Sequence, residues 1–488
     1  MIRRALNFFG IFLIFIGVMM IFPLIPALIY REFSCVKAFL LAIFIAEVIG
    51  ISLKVAGKLN NNDEEKMQPR ERFLLVAISW ILASIIAAIP FVLTSTIPNP
   101  IDAFFEMCSG FSTTGASIIP DVEKLPRSLL MWRSITQWLG GMGVIVLVMA
   151  IIPGFGARAM NIASAETPGP TVSKLGARFS DTAKQLYFAY IILTFLEVIF
   201  LLFGGLNLYD AILHSLSTMA TGGFSCYSDS IAHFNSYYVY WVITFFTILA
   251  GMNFNLFFVG MREGIEKMFK DDELKFYLKY LALATAIITA VLMIKNYYSS
   301  FGKALTEGAF QVVTIVSTTG FSTADFDLWP SVCKMVIIIL MLTGACSSST
   351  AGGMKLVRVL TTLKIIKREV RLKTHDRAVY NIKYNGRKVS SETLTYIIIF
   401  MAFFIFTLLA STLAISVDGY SFITNFTASL SCLSNVGPGL ADVGPTQNFA
   451  IYSNFSTMVL ALTMIAGRLE LTTFFIIFSR HFWNPDRA

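Results

Sequence analysis

The stretch EGAFQVVTIVSTTGFSTADFD, Glu307 to Asp327, decides how the rest of the chain is read. It begins as an apolar helix and then places Ser317, Thr318, Thr319 and Gly320 where the helix ought to continue. Serine and threonine side chains compete for backbone hydrogen bonds, and glycine has the most conformational freedom to lose, so the helix is expected to stop there. Similar interruptions occur at four places: FSTTGAS (Phe111 to Ser117), MATGGFS (Met219 to Ser225), VSTTGFS (Val316 to Ser322) and LSNVGPG (Leu433 to Gly439). Read as a repeat, they align Gly115, Gly222, Gly320 and Gly437, at intervals of 107, 98 and 117 residues. Each turn follows a segment too short to cross a bilayer: DAFFEMCSGFS from Asp102, YDAILHSLSTM from Tyr209, GKALTEGAFQVVTIVS from Gly302 and GYSFITNFTASLSCLS from Gly419.

Around these turns the chain is strongly apolar. Hydrophobic residues make up 56% of the 488 positions and charged residues 14%, which points to a polytopic all-α membrane protein. Long apolar segments lie near residues 5–30, 36–57, 71–95, 128–152, 182–204, 237–261, 276–295, 331–366, 391–416 and 449–479, which makes ten expected spans. They divide into a two-helix preamble over 1–60 and four units over 71–155, 180–265, 274–370 and 390–480, each reading span, half-helix, glycine turn, span. The start carries Arg3 and Arg4, as a signal peptide would, but its apolar run is too long and lacks a small-residue cleavage site, so it reads as a retained first helix.

The net charge of +8 sits in particular connections, not in an aromatic-laced patch, so it speaks for membrane orientation and against a nucleic-acid partner. The linker from Lys355 to Lys388 holds Lys364, Lys367, Arg368, Arg371, Lys373, Arg377, Lys383 and Arg387 against Glu369 and Asp376, and is expected on the cytoplasmic side. The loops 58–70, 153–181 and 262–275 then also face inward, and both termini fall in the cytoplasm.

Other chemistries find little support. Six scattered cysteines form no CxxC pair, and His214, His233, His375 and His481 lack ligand-spaced partners. GFGARA, Gly154 to Ala159, matches a dinucleotide fingerprint only formally, because it follows a span and Pro153 instead of a strand. No GxxxxGK[ST] sequence occurs, and no acid, base or nucleophile cluster supports an enzyme. Glu106 and Glu307, within half-helices, are read as structural.

The turns themselves suit cation chemistry. Glycine supplies the positive φ that aims a carbonyl at an axis, and four such turns around one axis would replace the hydration shell of a monovalent cation. Each half-helix would point its partially negative C-terminal end at the same place. Small residues that merely help helices pack are the alternative for any single turn, and four aligned copies count against it. In LTGACSSSTAGGMKLVR, Leu342 to Arg358, the Ser and Gly content predicts a break between Gly344 and Gly353, with a small-residue packing helix as the alternative. Arg468 and Glu470 lie within the last span; a charge there normally faces a cavity or a partner, and snorkelling is the alternative.

On these turns, with the broken eighth span and Arg468, the chain resembles the Trk/Ktr/HKT superfamily of potassium transporters from its first helix to its last, and its preamble is most like the bacterial TrkH/TrkG branch. The resemblance implies four M1-P-M2 units in a pseudo-fourfold arrangement around a central ion pore. Potassium would be coordinated by the backbone of Thr113 and Thr114, Ala220 and Thr221, Thr318 and Thr319, and Asn435 and Val436, each pair with its glycine, Gly115, Gly222, Gly320 or Gly437. Gly115 stands where many sodium-selective relatives carry serine, which favours potassium. Only one glycine per turn matches a potassium-channel signature, so fewer well-formed sites and weaker ion discrimination are expected. The gate implied is an intramembrane loop of Gly344, Ala345, Cys346, Ser347, Ser348, Ser349, Thr350, Ala351, Gly352 and Gly353 with Lys355, beside Arg468 as a fixed positive barrier.

The resemblance also implies a homodimer in the bacterial inner membrane and a cytosolic TrkA-type ring that binds nucleotide, ATP/ADP or NAD, while this chain binds no cofactor beyond the transported K+. The basic linker suits docking to that ring and membrane lipid headgroups equally. An ion-coupled symporter with alternating access is the competing reading; it would show inverted repeats, whereas these four run parallel.

Overall fold

The computed structural model describes residues 2–58, 69–143, 179–374, 380–469 and 471. Helices dominate, and the strands among the described residues are Lys383–Tyr384 and Arg387–Lys388, paired antiparallel with Tyr384 opposite Arg387. Among the described residues six helical segments are long and apolar enough to cross a membrane: Arg3–Ile29, Phe33–Ala56, Leu74–Leu93, Lys184–Phe203, Asp272–Ile294 and Ser391–Asp418. A seventh is obtained if Tyr237–Gly251 and Asn255–Glu263 count as one span bent by 90°.

The expected span 237–261 is therefore not straight. Its break follows Gly251, where Gly, Met and two Asn weaken the helix, and the backbone groups freed by the bend find partners outside it. The expected span 331–366 stops at Thr343 and resumes at Leu356. Of the spans 128–152 and 449–479, the helices Arg127–Gly141 and Asn454–Arg468 are described; Glu470 and residues 154–159 lie outside the described residues, as do His375 and His481.

The two preamble helices meet at glycines. A Cβ on Gly10 would collide with the Gly50 carbonyl, and one on Gly57 with the Asn7 backbone, so the helices approach at backbone distance. Glu32 in their connection caps the helix Arg127–Gly141, accepting from the N–H groups of Arg127 (2.7 Å) and Ser128 (3.1 Å). A carboxylate at a helix N-terminus satisfies orphan donors and faces the positive end of the dipole.

Four short helices carry the turns: Pro100–Phe111, Leu208–Met219, Phe301–Val316 and Phe422–Ser434. Their starts are set locally. Asn99, Asn207 and Ser421 accept from N–H groups in the first turn, and Asp102 and Asp210 add negative charge there. Each packs against the long helix before it and is buried over most of its length. The helix that follows each turn packs on the next short helix in chain order. Arg127–Gly141 lies on Leu208–Met219, Tyr237–Gly251 on Phe301–Val316, Ser331–Thr343 on Phe422–Ser434, and Asn454–Arg468 returns to Pro100–Phe111. The packing order closes on itself.

Candidate functional site: a ring of four turns

All four short helices end alike. The N–H groups of Thr114, Gly222, Thr319 and Val436 reach back five residues to the carbonyls of Ser109, Ser217, Thr314 and Ser431, at 2.9, 2.9, 2.7 and 2.9 Å. The residue before each, Thr113, Thr221, Thr318 or Asn435, is left-handed, with φ of 55°, 55°, 57° and 57°. This is a Schellman end, in which that position is usually glycine. Asparagine tolerates it, but a β-branched threonine is strained there, typically by about 1–3 kcal/mol. Three strained threonines at one structural position mark a site held against local preference.

The next positive φ falls two residues later, at Gly115 (81°), Gly223 (74°), Gly320 (80°) and Gly437 (103°). Backbone angles therefore alternate in sign along each turn. In the second turn the equivalent glycine is Gly223, one residue beyond the expected Gly222. Gly222 occupies the place of Thr114, and Ala220, at φ −70°, closes the helix as Ser112 does at φ −71°. The members of the second turn are thus Thr221, Gly222 and Gly223. The motif matched end to end, with Phe224 and Ser225 opposite Phe321 and Ser322, gives the same register as the helix-end hydrogen bonds.

The turns touch one another in a closed order. A Cβ added to Gly115 would collide with the Gly222 carbonyl, to Gly223 with that of Thr319, to Gly320 with that of Val436, and to Gly437 with that of Thr114 (2.8 Å). Four glycines thus admit four neighbouring carbonyls, one across each boundary. The same four glycines line one cavity together with residues that follow the turns, among them Ser117, Ser225, Ser322 and Pro438. The threonines, Ala220, Asn435 and Val436 are fully buried.

Against the ring lies the segment from Gly344 to Lys355, which is non-helical and mostly buried within protein. Its polar groups meet those freed by the neighbouring bend: the Cys346 N–H donates to the Gly251 carbonyl (3.1 Å), and the Phe254 N–H donates to that of Ser348 (3.1 Å). The Gly352 N–H donates to the Thr318 hydroxyl (2.7 Å), and a Cβ on Gly352 would strike the Ser434 carbonyl, so the segment touches the third and fourth turns. Lys355, also buried, donates to the Ala351 carbonyl. Arg468 donates to the carbonyls of Thr350 (2.7 Å), Gly140 (2.8 Å) and Gly141 (2.6 Å), joining this segment to the end of Arg127–Gly141.

Comparison with known proteins agrees over the whole length. The family model TrkH, described as a cation transport protein, matches residues 40–484. The chain belongs to the TrkH family. Relatives include the Trk system potassium uptake protein TrkH of Salmonella typhimurium, 34% identical with 99% of each chain covered. TrkG of Escherichia coli, also named a Trk system potassium uptake protein, is 32% identical over 95% of this chain and 94% of its own. The crystal structure of the potassium transporter TrkH from Vibrio parahaemolyticus superimposes with a TM-score of 0.88 at 30% identity, covering 99% of both chains. The TrkH family is one of transporters, not enzymes, and this member is a multi-pass membrane protein.

Two residues that support the ring in this TrkH-family chain, Arg133 and Gln137, are not singled out by the sequence reading. Arg133, 2% exposed, pairs with buried Glu106 (2.8 Å), lies over the Phe224 ring (4.0 Å) and donates to the Ser225 carbonyl (3.3 Å). Glu106 also accepts from the Ile118 N–H (2.9 Å), just after the first turn. Gln137 bridges the second turn, donating to the Gly222 carbonyl (2.5 Å) and accepting from the Phe224 N–H (3.1 Å). A charge and an amide inside the apolar stretch 128–152 are the available signal. His214 is held between the Asp210 carbonyl and the Ser225 hydroxyl, and Glu307 accepts from the Thr323 hydroxyl, so both act within the scaffold behind the turns. Among the described residues no group of three or more His, Cys, Asp or Glu is placed to hold a metal ion.

Proposed function

We propose that this chain takes up potassium across a bacterial inner membrane through a pore lined by the carbonyls of the four turns. The observation that carries the reading is the closed order of contacts, in which each glycine admits the carbonyl of the next turn. The filter consists of Thr113, Thr114 and Gly115; Thr221, Gly222 and Gly223; Thr318, Thr319 and Gly320; and Asn435, Val436 and Gly437. Alternating φ turns successive carbonyls toward one side, where they replace the water around a dehydrated monovalent cation. Four helix C-termini aimed at the same region add negative potential and repel anions.

The architecture proposed is four M1-P-M2 units over 71–155, 180–265, 274–370 and 390–480, in pseudo-fourfold order after the preamble 1–60. The segment Gly344 to Lys355 is the gate, since it lies against Thr318 and Ser434, and Arg468 adds a positive barrier beside it. The basic linker and both termini face the cytoplasm. There a homodimer joins a TrkA-type ring that binds nucleotide, and lipid headgroups border the linker.

The test is ion flux into liposomes containing the purified protein, comparing K+, Rb+, Na+ and Li+. K+ and Rb+ are expected to pass faster than Na+ and Li+. Gly115→Ser places a side chain against the Gly222 carbonyl and is expected to reduce the K+ preference; unchanged selectivity would remove Gly115 from the filter. Single-channel recording should show stepwise currents, and slow saturable exchange without them would favour alternating access.

A further inference from the structure

One buried carboxylate lies outside the pathway and joins three parts of the chain. Glu273 stands in the first turn of the helix Asp272–Ile294 and is 1% exposed. Its Oε1 accepts from the N–H groups of Ser347 (2.7 Å) and Val357 (3.1 Å), and its Oε2 accepts from the Ser347 hydroxyl (2.7 Å) and the Tyr384 hydroxyl (3.3 Å). Ser347 lies near the start of the intramembrane segment and Val357 just beyond its end, so this one group pins both of its ends. The Leu356 N–H closes the same base on the Ala345 carbonyl (2.9 Å).

Tyr384 belongs to the small hairpin of residues 382–389. Asn385 (φ 48°) and Gly386 (φ 75°) form its tight two-residue tip. That tip rests on the same helix end: Asn385 donates through its backbone N–H to Asp272 (3.1 Å) and through Nδ2 to Asp271 (2.6 Å), and its Oδ1 accepts from the Asp272 N–H (2.8 Å). Lys364 links Asp272 (3.3 Å) to the Lys383 carbonyl (2.8 Å). Burial first, and the Glu273 charge second, raise the Tyr384 phenol well above its ordinary pKa, so it stays a donor. Lys383, Arg387 and Lys388 of the hairpin are exposed.

We propose that Glu273 is a positioning residue through which the hairpin 382–389 holds the intramembrane segment 344–355 in its closed place. A buried carboxylate demands its donors, and each one withdrawn leaves charge unsatisfied. Moving the hairpin removes the Tyr384 hydroxyl and shifts the helix end that carries Glu273, and both weaken the hold on Ser347 and Val357. The hairpin and the segment are thereby coupled through a single side chain. That the segment acts as a gate rests on the function proposed above; the clamp itself does not.

The native thiol of Cys346, buried within the segment, reports its release. Full-length protein in liposomes is treated with N-ethylmaleimide, and alkylation of the Cys346 peptide is followed by mass spectrometry, with buried Cys432 as the folding control and K+ flux measured on the same vesicles. Glu273→Ala is expected to speed Cys346 alkylation about tenfold and Tyr384→Phe about threefold, with Cys432 unchanged. Because both act through one group, the double variant should match Glu273→Ala alone. Glu273→Gln removes the charge but keeps an acceptor for Ser347 and Val357, so it should stay near the unaltered rate; this separates loss of the clamp from a changed field at the thiol. Unchanged alkylation in Glu273→Ala and Tyr384→Phe, or Gln as fast as Ala, overturns the clamp whatever the flux does. Faster alkylation at unchanged flux supports the clamp and overturns the gate.

Discussion

The ring of turns and the segment against it are built in opposite ways. The ring is main chain, made four times over by the same helix ending, and it closes through carbonyls that approach glycines. The segment occurs once, and side chains from distant parts of the molecule secure it: Glu273 at both ends, Thr318 against Gly352 and Arg468 across the middle. A structure that must keep its dimensions is specified by backbone geometry, which few substitutions can imitate. In the function proposed above the segment is the part that moves, and it is tied by hydrogen bonds that can be released one at a time.

That contrast can be broken most sharply at the second turn. Gly223→Ala puts a Cβ at positive φ against the Thr319 carbonyl, whereas Gly222→Ala meets the flexible side chain of Gln137. K+ uptake in a strain lacking other uptake systems should fall roughly a hundredfold for Gly223→Ala and about tenfold or less for Gly222→Ala. The reverse order would give Gly222, and not Gly223, the glycine position of the ring. On the other side of the comparison, Arg468→Ala removes the positive charge and three hydrogen bonds from beside the segment. Flux in liposomes should rise roughly fivefold with ion preference unchanged, and a fall would make Arg468 a scaffold residue.

Smaller effects test the joints. Gln137→Leu leaves the Gly222 carbonyl and the Phe224 N–H without their shared partner. The K+ over Na+ preference, read from competition flux, should drop about threefold while total flux persists. Thr318→Val keeps the shape and the left-handed backbone but removes the acceptor of the Gly352 N–H. Flux should rise only about twofold, and an unchanged rate would mean that this bond does not restrain the segment.

Much of the site is legible in the amino-acid chain alone. The polar turns at Phe111 to Ser117, Met219 to Ser225, Val316 to Ser322 and Leu433 to Gly439 are local patterns, and the helix endings that they encode are local too. The Ser and Gly content of Gly344 to Gly353 reads as a stop for the same reason, and the described helices end at Thr343 and resume at Leu356. In the second turn the expected glycine, Gly222, is one residue early; the seven-residue motifs matched end to end place Gly223 opposite Gly115, Gly320 and Gly437, with Phe224 and Ser225 opposite Phe321 and Ser322, and the bond from the Gly222 N–H to the Ser217 carbonyl agrees. The bend after Gly251 is hidden for another reason. Its freed backbone groups are matched by Cys346 and Ser348, nearly a hundred residues on, and nothing local announces that partnership.

By itself, then, the sequence determined the solvent in which this protein folds, the four places where a helix stops within apolar surroundings, and the one late span that stops as well. Those properties follow from transfer energies and backbone preferences that act over a few residues. Only the tertiary structure decided which glycine faces which carbonyl, that the helix Asn454–Arg468 returns to Pro100–Phe111, and that Arg133, Gln137 and Glu273 serve as braces. Each of those facts is a pairing between groups far apart in the chain, and such a pairing exists only once packing has brought both partners out of water and made an unsatisfied polar group expensive.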